Sequence, residues 1–86
     1  MFNILNGIRV LDLTTVVLGP FATQMLGDFG ASVTKIENLD GDMMRAVRPG
    51  SSDEMGAGFV NCNRNKDCMA LNLKSNEGKE IFYKLV

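Results

Sequence analysis

Histidine and tryptophan are absent from this 86-residue chain, and cysteine, proline and aromatic residues are scarce: two Cys, two Pro, five Phe and one Tyr. Without an imidazole base, the serine and cysteine triads of acyl-transfer enzymes cannot be assembled. Cys62 and Cys68 alone cannot complete a four-ligand zinc site, so no metal is expected. Neither sign of charge dominates. Nine Lys and Arg stand against ten Asp and Glu, giving a formal net charge of −1. Such a chain has no general field for gathering nucleic acid or an anionic membrane.

Long apolar runs are missing too. The uncharged segment from Leu13 to Gly27 falls short of the roughly 20 apolar residues that cross a bilayer. It is also broken by Gly19-Pro20 and carries Thr14, Thr15, Thr23 and Gln24. The opening Met1–Gly7 lacks the basic region and apolar stretch of a signal peptide. The expectation is a cytoplasmic protein with two reduced thiols, since cytosolic disulfides are rare.

What is present suits a folded domain: 45% apolar and 22% charged residues. One domain at most fits this length, and a chain of this size buries only about 60% of its unfolded surface. Ile8–Leu13 is short and rich in branched residues and predicts a strand buried on both faces. Pro20 suits the first position of a helix. Phe21, Met25, Leu26 and Phe29 would form its apolar face, and Gly30 its left-handed stop. Gly27 inside that helix costs about 1 kcal/mol against Ala, a cost that close approach to a neighbouring strand would justify.

Ala31–Glu37 alternates apolar and polar residues and predicts a second strand. Strand, helix and strand within about thirty residues predict a right-handed crossover with parallel strands. A long irregular stretch follows from Asn38 to Gly58, punctuated by Gly41, Pro49-Gly50-Ser51-Ser52 and Gly56. Gly58–Asn61 predicts a helical turn leading into the polar Asn63-Arg64-Asn65-Lys66, and Cys68–Leu73 a third strand. Ser75 is the expected N-cap of a last helix, with Glu77 in its first turn and Ile81, Phe82, Leu85 and Val86 as its apolar face. Three parallel strands with two helices leave part of a sheet uncovered, so the unit reads as incomplete.

For chemistry, the first strand-to-helix turn is where open α/β proteins place ligands. Here it has neither a dinucleotide glycine fingerprint nor a phosphate-cradling Gly-Lys-Ser/Thr, and by itself it reads as structural. Glu37 reads as a strand-end carboxylate pairing with solvent or with Lys35. Arg64, Lys66 and Lys74 flank the third strand; they are either a phosphate-binding cluster or scattered surface charge. Asp40 and Asp42 read as turn residues.

Taken in order, Gly7–Thr14, Gly19-Pro20, Ala22–Asp28, Gly30-Ala31 and Val33–Glu37 resemble the opening of class III CoA-transferases. Gly41-Asp42 with Arg45, Asn63–Lys66, Leu71–Lys74 and Glu77-Gly78 continue the likeness along nearly the whole chain. This is the family of formyl-CoA transferase, carnitine CoA-transferase and α-methylacyl-CoA racemase. The resemblance implies that residues 1–86 are the amino-terminal part of a large Rossmann-like domain. It implies an α/β fold, here an incomplete β-α-β-loop-β-α unit with parallel strands, within a protein several times longer that forms interlocked homodimers.

It further implies CoA transfer from a thioester to a carboxylic acid by way of an aspartate nucleophile lying beyond Val86. No catalytic residue is therefore expected here, and the isolated chain is expected to be inactive. Coenzyme A, as the substrate thioester, is the implied ligand. Val17 and Leu18 match positions lining its reacting end, and Leu71, Asn72, Leu73 and Lys74 match a run holding its adenine and ribose-phosphate portion. Asn38 stands where many relatives carry an arginine for the 3′-phosphate, Val17 where some formyl-CoA enzymes have Gln, and Asn72 where Asp is common. The other readings are a free-standing CoA- or nucleotide-binding or interaction module without catalysis, and a fragment of an acyl-CoA racemase.

Overall fold

The computed structural model describes residues 3–47, 49–50 and 55–86. Ser51 and Ser52 of the expected loop, and Met1 and Phe2, lie outside the described residues. In chain order the elements are β1 (Arg9–Asp12), α1 (Leu18–Asp28), β2 (Ser32–Glu37), a 3-10 turn (Met43–Arg45), α2 (Ala57–Cys62), β3 (Lys66–Ala70) and α3 (Asn76–Leu85). The strands form one parallel sheet in the order β1-β2-β3. Asp12 pairs with Lys35 across β1 and β2, and Lys35 with Cys68 across β2 and β3. This is the α/β unit with parallel strands expected from the sequence, with its loop between β2 and α2.

Boundaries shift for local reasons. β1 is shorter than expected and its outer positions are only partly covered, because it has β2 on one side alone. α1 begins two residues before Pro20, with Val17 as its N-cap residue. Gly30 follows the helix with φ +107°, the left-handed conformation that a glycine stop requires. Ser75 caps α3 as expected, its Oγ accepting from the Gly78 amide at 3.0 Å.

One expectation about α1 fails. The apolar face expected of it is not buried: Phe21, Met25 and Leu26 are exposed, and Phe29 is half-buried. The buried residues of the helix are Pro20 and Gln24. Gln24 and Thr23 take the sheet side because long-range polar bonds hold them there. Thr23 Oγ1 donates to Asp12 Oδ2 at 2.7 Å, and Gln24 Oε1 accepts from the Arg64 amide at 2.8 Å. Gly27 comes near Val33 and Asn65, but a β-carbon there would sit 3.5 Å from the nearest atom, so tight packing does not explain this glycine.

α1 and α2 lie on the side of the sheet to which Asp12, Lys35 and Lys66 point. Alternation along the strands turns Leu11, Leu13 and Thr34 to the other side, where they face Phe82 and Leu85 of α3 across a groove. The apolar core is small: Ala31, Val33, Ile36, Phe59 and Leu71 are buried.

Candidate functional site

The three strands end their carboxyl termini together, and a cleft of about 500 Å³ opens there. Leu13 and Thr15 line it from the end of β1, Ile36 to Asp40 from the end of β2, and Leu71 to Lys74 from the segment after β3. Ligands of open parallel sheets bind at this end because neighbouring connections diverge there and leave a crevice.

The floor is the Leu71–Lys74 turn. Leu71 is buried, and its amide donates to the Glu37 carbonyl at 2.9 Å, extending the β2–β3 ladder by one bond. Asn72 Oδ1 accepts from the Lys74 amide at 3.1 Å, and the Asn72 carbonyl accepts from Ser75 Oγ at 2.9 Å. Gly78 presses against the same carbonyl so closely that a β-carbon would fall 1.9 Å from the Asn72 oxygen. The turn and the first turn of α3 are therefore one packed unit. Lys74 reaches the cleft as an exposed cation.

Beside this floor lies a network of buried charge. Asp12 and Lys66 pair at 2.8 Å with both side chains fully buried. Burial alone would raise the Asp12 carboxyl; the Lys66 ammonium and bonds from Thr14 and Thr23 outweigh it and bring the pKa down to about 2. Thr14 donates to Asp12 Oδ1 through both its amide, at 2.8 Å, and its hydroxyl. Lys35 Nζ lies 2.9 Å from Asp42 Oδ2 and donates to the Thr14 carbonyl at 3.1 Å. The Lys35–Asp42 contact is a close ion pair rather than an aligned hydrogen bond, because Asp42 Oδ2 has no partner of good hydrogen-bond geometry. Burial opposes ionisation of Asp42, but the Met44 amide, Lys35 and the Val16 amide lower its pKa on balance.

Glu37 pairs with Arg45 through two bonds, of 2.7 and 2.8 Å, and accepts from the Asp42 amide at 2.8 Å. Arg45 holds its pKa below the usual carboxylate range. The Arg45 guanidinium also lies 3.9 Å from the centre of the Phe59 ring. The partner of Glu37 is thus Arg45 rather than solvent or Lys35, as the 3-10 turn folds back over the end of β2.

Of the residues singled out in the sequence, the fold brings Asn38, Leu71, Asn72, Leu73 and Lys74 around one cleft. Val17 and Leu18 stand apart from its lining, exposed at the start of α1. The basic trio does not assemble. Arg64 pairs with Asp28 at 2.7 Å, Lys66 is buried against Asp12, and Lys74 alone of the three lines the cleft. Sequence reasoning missed Thr15, Leu39 and Asp40 in the lining, and the roles of Lys35 and Asp42. The Gly41-Asp42 pair within the family likeness was the sequence signal for the latter, and the structure gives that glycine φ +83°. Among the described residues no His, Cys, Asp and Glu form a metal-binding group, and no helix is long and apolar enough to cross a membrane.

A profile described as CoA-transferase family III matches residues 5–86. The chain belongs to CoA-transferase family III. Its relatives in that family include succinyl-CoA:mesaconate CoA-transferase of Haloarcula marismortui, 42% identical over an alignment of 86 positions that covers 95% of this chain and 22% of the relative. Succinyl-CoA:glutarate CoA-transferase of Mus musculus is 44% identical over 82 residues, 94% of this chain and 19% of the relative. Among solved structures, a CAIB/BAIF family protein from Brucella suis superimposes with a TM-score of 0.89 at 32% identity. That match covers 99% of this chain and 24% of the other. The chain spans about a fifth of the length of the curated family III relatives it matches.

Proposed function

We propose that residues 1–86 are the amino-terminal part of the large domain of an enzyme that transfers CoA between a CoA thioester and a carboxylic acid, and that the strand-end cleft receives part of CoA. The observation that carries this reading is the convergence of Asn38 and Leu71–Lys74, matched to family positions from sequence, on a single cleft. Leu71 and Leu73 offer apolar surface to a purine, and Lys74 offers charge to a phosphate. Asn38 is neutral, so Lys74 carries the phosphate contact on this rim.

In this reading the covalent chemistry belongs to an aspartate carboxylate outside these 86 residues. Its attack on the thioester carbonyl expels CoA as the thiolate and leaves an acyl anhydride. The returning thiolate attacks the aspartyl carbonyl, expels the donor carboxylate and leaves an aspartyl thioester. The acceptor carboxylate then displaces CoA thiolate to form a second anhydride, and that thiolate attacks the acceptor carbonyl, which yields the new thioester and frees the aspartate. The part of this chain is to hold CoA while that exchange occurs. Val17 and Leu18 are assigned to the reacting end, at the exposed start of α1. The free thiols Cys62 and Cys68 suit a reducing, cytoplasmic setting, and the full-length enzyme is taken as a homodimer.

Two measurements test the proposal. Calorimetric titration of the 86-residue chain with CoA should give saturable binding that Lys74→Gln weakens several-fold, because a charge-assisted phosphate contact is lost. An assay of acid-dependent CoA transfer on the same chain should give no turnover. Clear turnover would overturn the fragment reading, and a chain that melts cooperatively yet binds no CoA would overturn the assignment of the cleft.

A further inference from the structure

Val16 adopts φ +72°, a left-handed conformation that is a genuine outlier for a β-branched residue. Such a conformation persists only where the surroundings over-determine it. Here two buried groups hold the two peptides that lead into the bend. The Val16 amide donates to Asp42 Oδ1 at 3.2 Å, and the Thr14 carbonyl accepts from Lys35 Nζ at 3.1 Å. Lys35 and Asp42 are themselves paired, and neither side chain has any exposed surface. Asp42 is aimed in turn by Glu37, which accepts its amide hydrogen while gripped by Arg45.

The bend has a consequence for the cleft. Thr15, just before it, lines the cavity, whereas Val17 and Leu18, just after it, leave the cavity and begin α1. The left-handed residue thus stands between the side chain that lines the cleft and the two that do not.

We propose that Asp42, locked by Lys35, is a positioning residue for the ligand: it holds Val16 left-handed and so sets how Thr15, Val17 and Leu18 face CoA. This rests on the CoA reading above. Asp42 touches no ligand in this account, and its role is exerted through the Val16 amide.

The test uses three 86-residue variants, Asp42→Ala, Asp42→Asn and the double variant Asp42→Ala/Val16→Gly, each followed by the backbone amide resonances of residues 14–18 and by CoA titration. Asp42→Ala should move those resonances and weaken CoA binding roughly tenfold or more, as expected for losing a buried bond to a charged acceptor. Asp42→Asn keeps size and one acceptor and should fall between Asp42→Ala and the parent. Glycine adopts positive φ without steric cost, so the double variant should recover much of the parent loop signature and affinity. A merely structural role for Asp42 would not be rescued by a glycine at another position. Parent-like loop resonances in Asp42→Ala, or a folded double variant as damaged as the single one, would overturn the proposal. If both unfold because Lys35 is left buried without its partner, Asp42→Asn decides: a loss of affinity without a shift of the loop resonances would overturn it. If the folded parent chain binds no CoA, the assignment of the cleft falls, while the loop resonances of the variants still decide the positioning claim.

Discussion

On the α1 side of the sheet, Asp12, Lys35, Glu37 and Lys66 turn inward and each finds a charged partner. On the α3 side, Leu11, Leu13 and Thr34 face Phe82 and Leu85 across an open groove of about 370 Å³. The first side is closed and polar, the second open and largely apolar. Buried pairs of the first kind add little net stability over apolar packing, but breaking one by removing a single partner is costly. Their positions suggest what they contribute instead. Asp12 of β1 and Lys66 of β3 are not on neighbouring strands, so their contact spans β2 and requires the β1-β2-β3 order. Lys35–Asp42 and Glu37–Arg45 fold the segment after β2 back over its end. The hypothesis is that the polar side specifies arrangement.

The strongest way to break this contrast is Lys66→Met, which strands the Asp12 carboxylate in the interior. It should destabilise the chain by about 3–5 kcal/mol in urea denaturation. The double variant Asp12→Leu/Lys66→Met should recover a large part of that loss, because no charge is then left buried alone. A single variant costing no more than an exposed substitution would contradict the hypothesis.

Acid comes next. The Asp12 pKa is about 2 when folded and 3.8 ordinarily, so its contribution to stability is complete above pH 4–5 and is lost as pH falls toward 2. Glu37 and Asp42, also lowered, act in the same direction. Asp12 alone corresponds to roughly 2 kcal/mol of stability present at pH 7 and absent below both pKa values. Denaturation midpoints between pH 7 and pH 2.5 should fall accordingly, and a flat profile would show that the pairs are not formed in solution.

The smallest effect sharpens the comparison from within the polar side. A methyl group at Gly27 meets its neighbours at ordinary contact distance, 3.5 Å or more. Gly27→Ala should therefore raise stability by up to about 1 kcal/mol through helix propensity. A loss on thermal melting would mean that the α1 face is packed more tightly than the structure places it.

The same contrast separates what could be read from the chain alone. The β-α-β order, the Gly30 stop and the Ser75 cap were legible because each is written in a few adjacent residues. The Leu71–Lys74 edge of the cleft was legible only through its likeness to a family. The orientation of α1 was not, because hydrophobic periodicity assumes that the apolar stripe faces the core. Here Thr23 and Gln24 face inward, bound to Asp12 and to the Arg64 amide. Those bonds join residues 11 and 40 positions apart, and no local pattern marks such partners. Lys66 read as either a phosphate ligand or surface charge for the same reason: nothing near it in sequence reveals that Asp12 has already claimed its charge.

Gly78 ties a helix to the cleft it borders. With the Asn72 carbonyl pressed against a residue that has no side chain, the rim cannot shift without dragging the first turn of α3 along. A molecule seated on Leu71–Lys74 would thus damp fraying at that helix start, and a stiffer helix would in turn hold the rim ready, so the two events share one equilibrium.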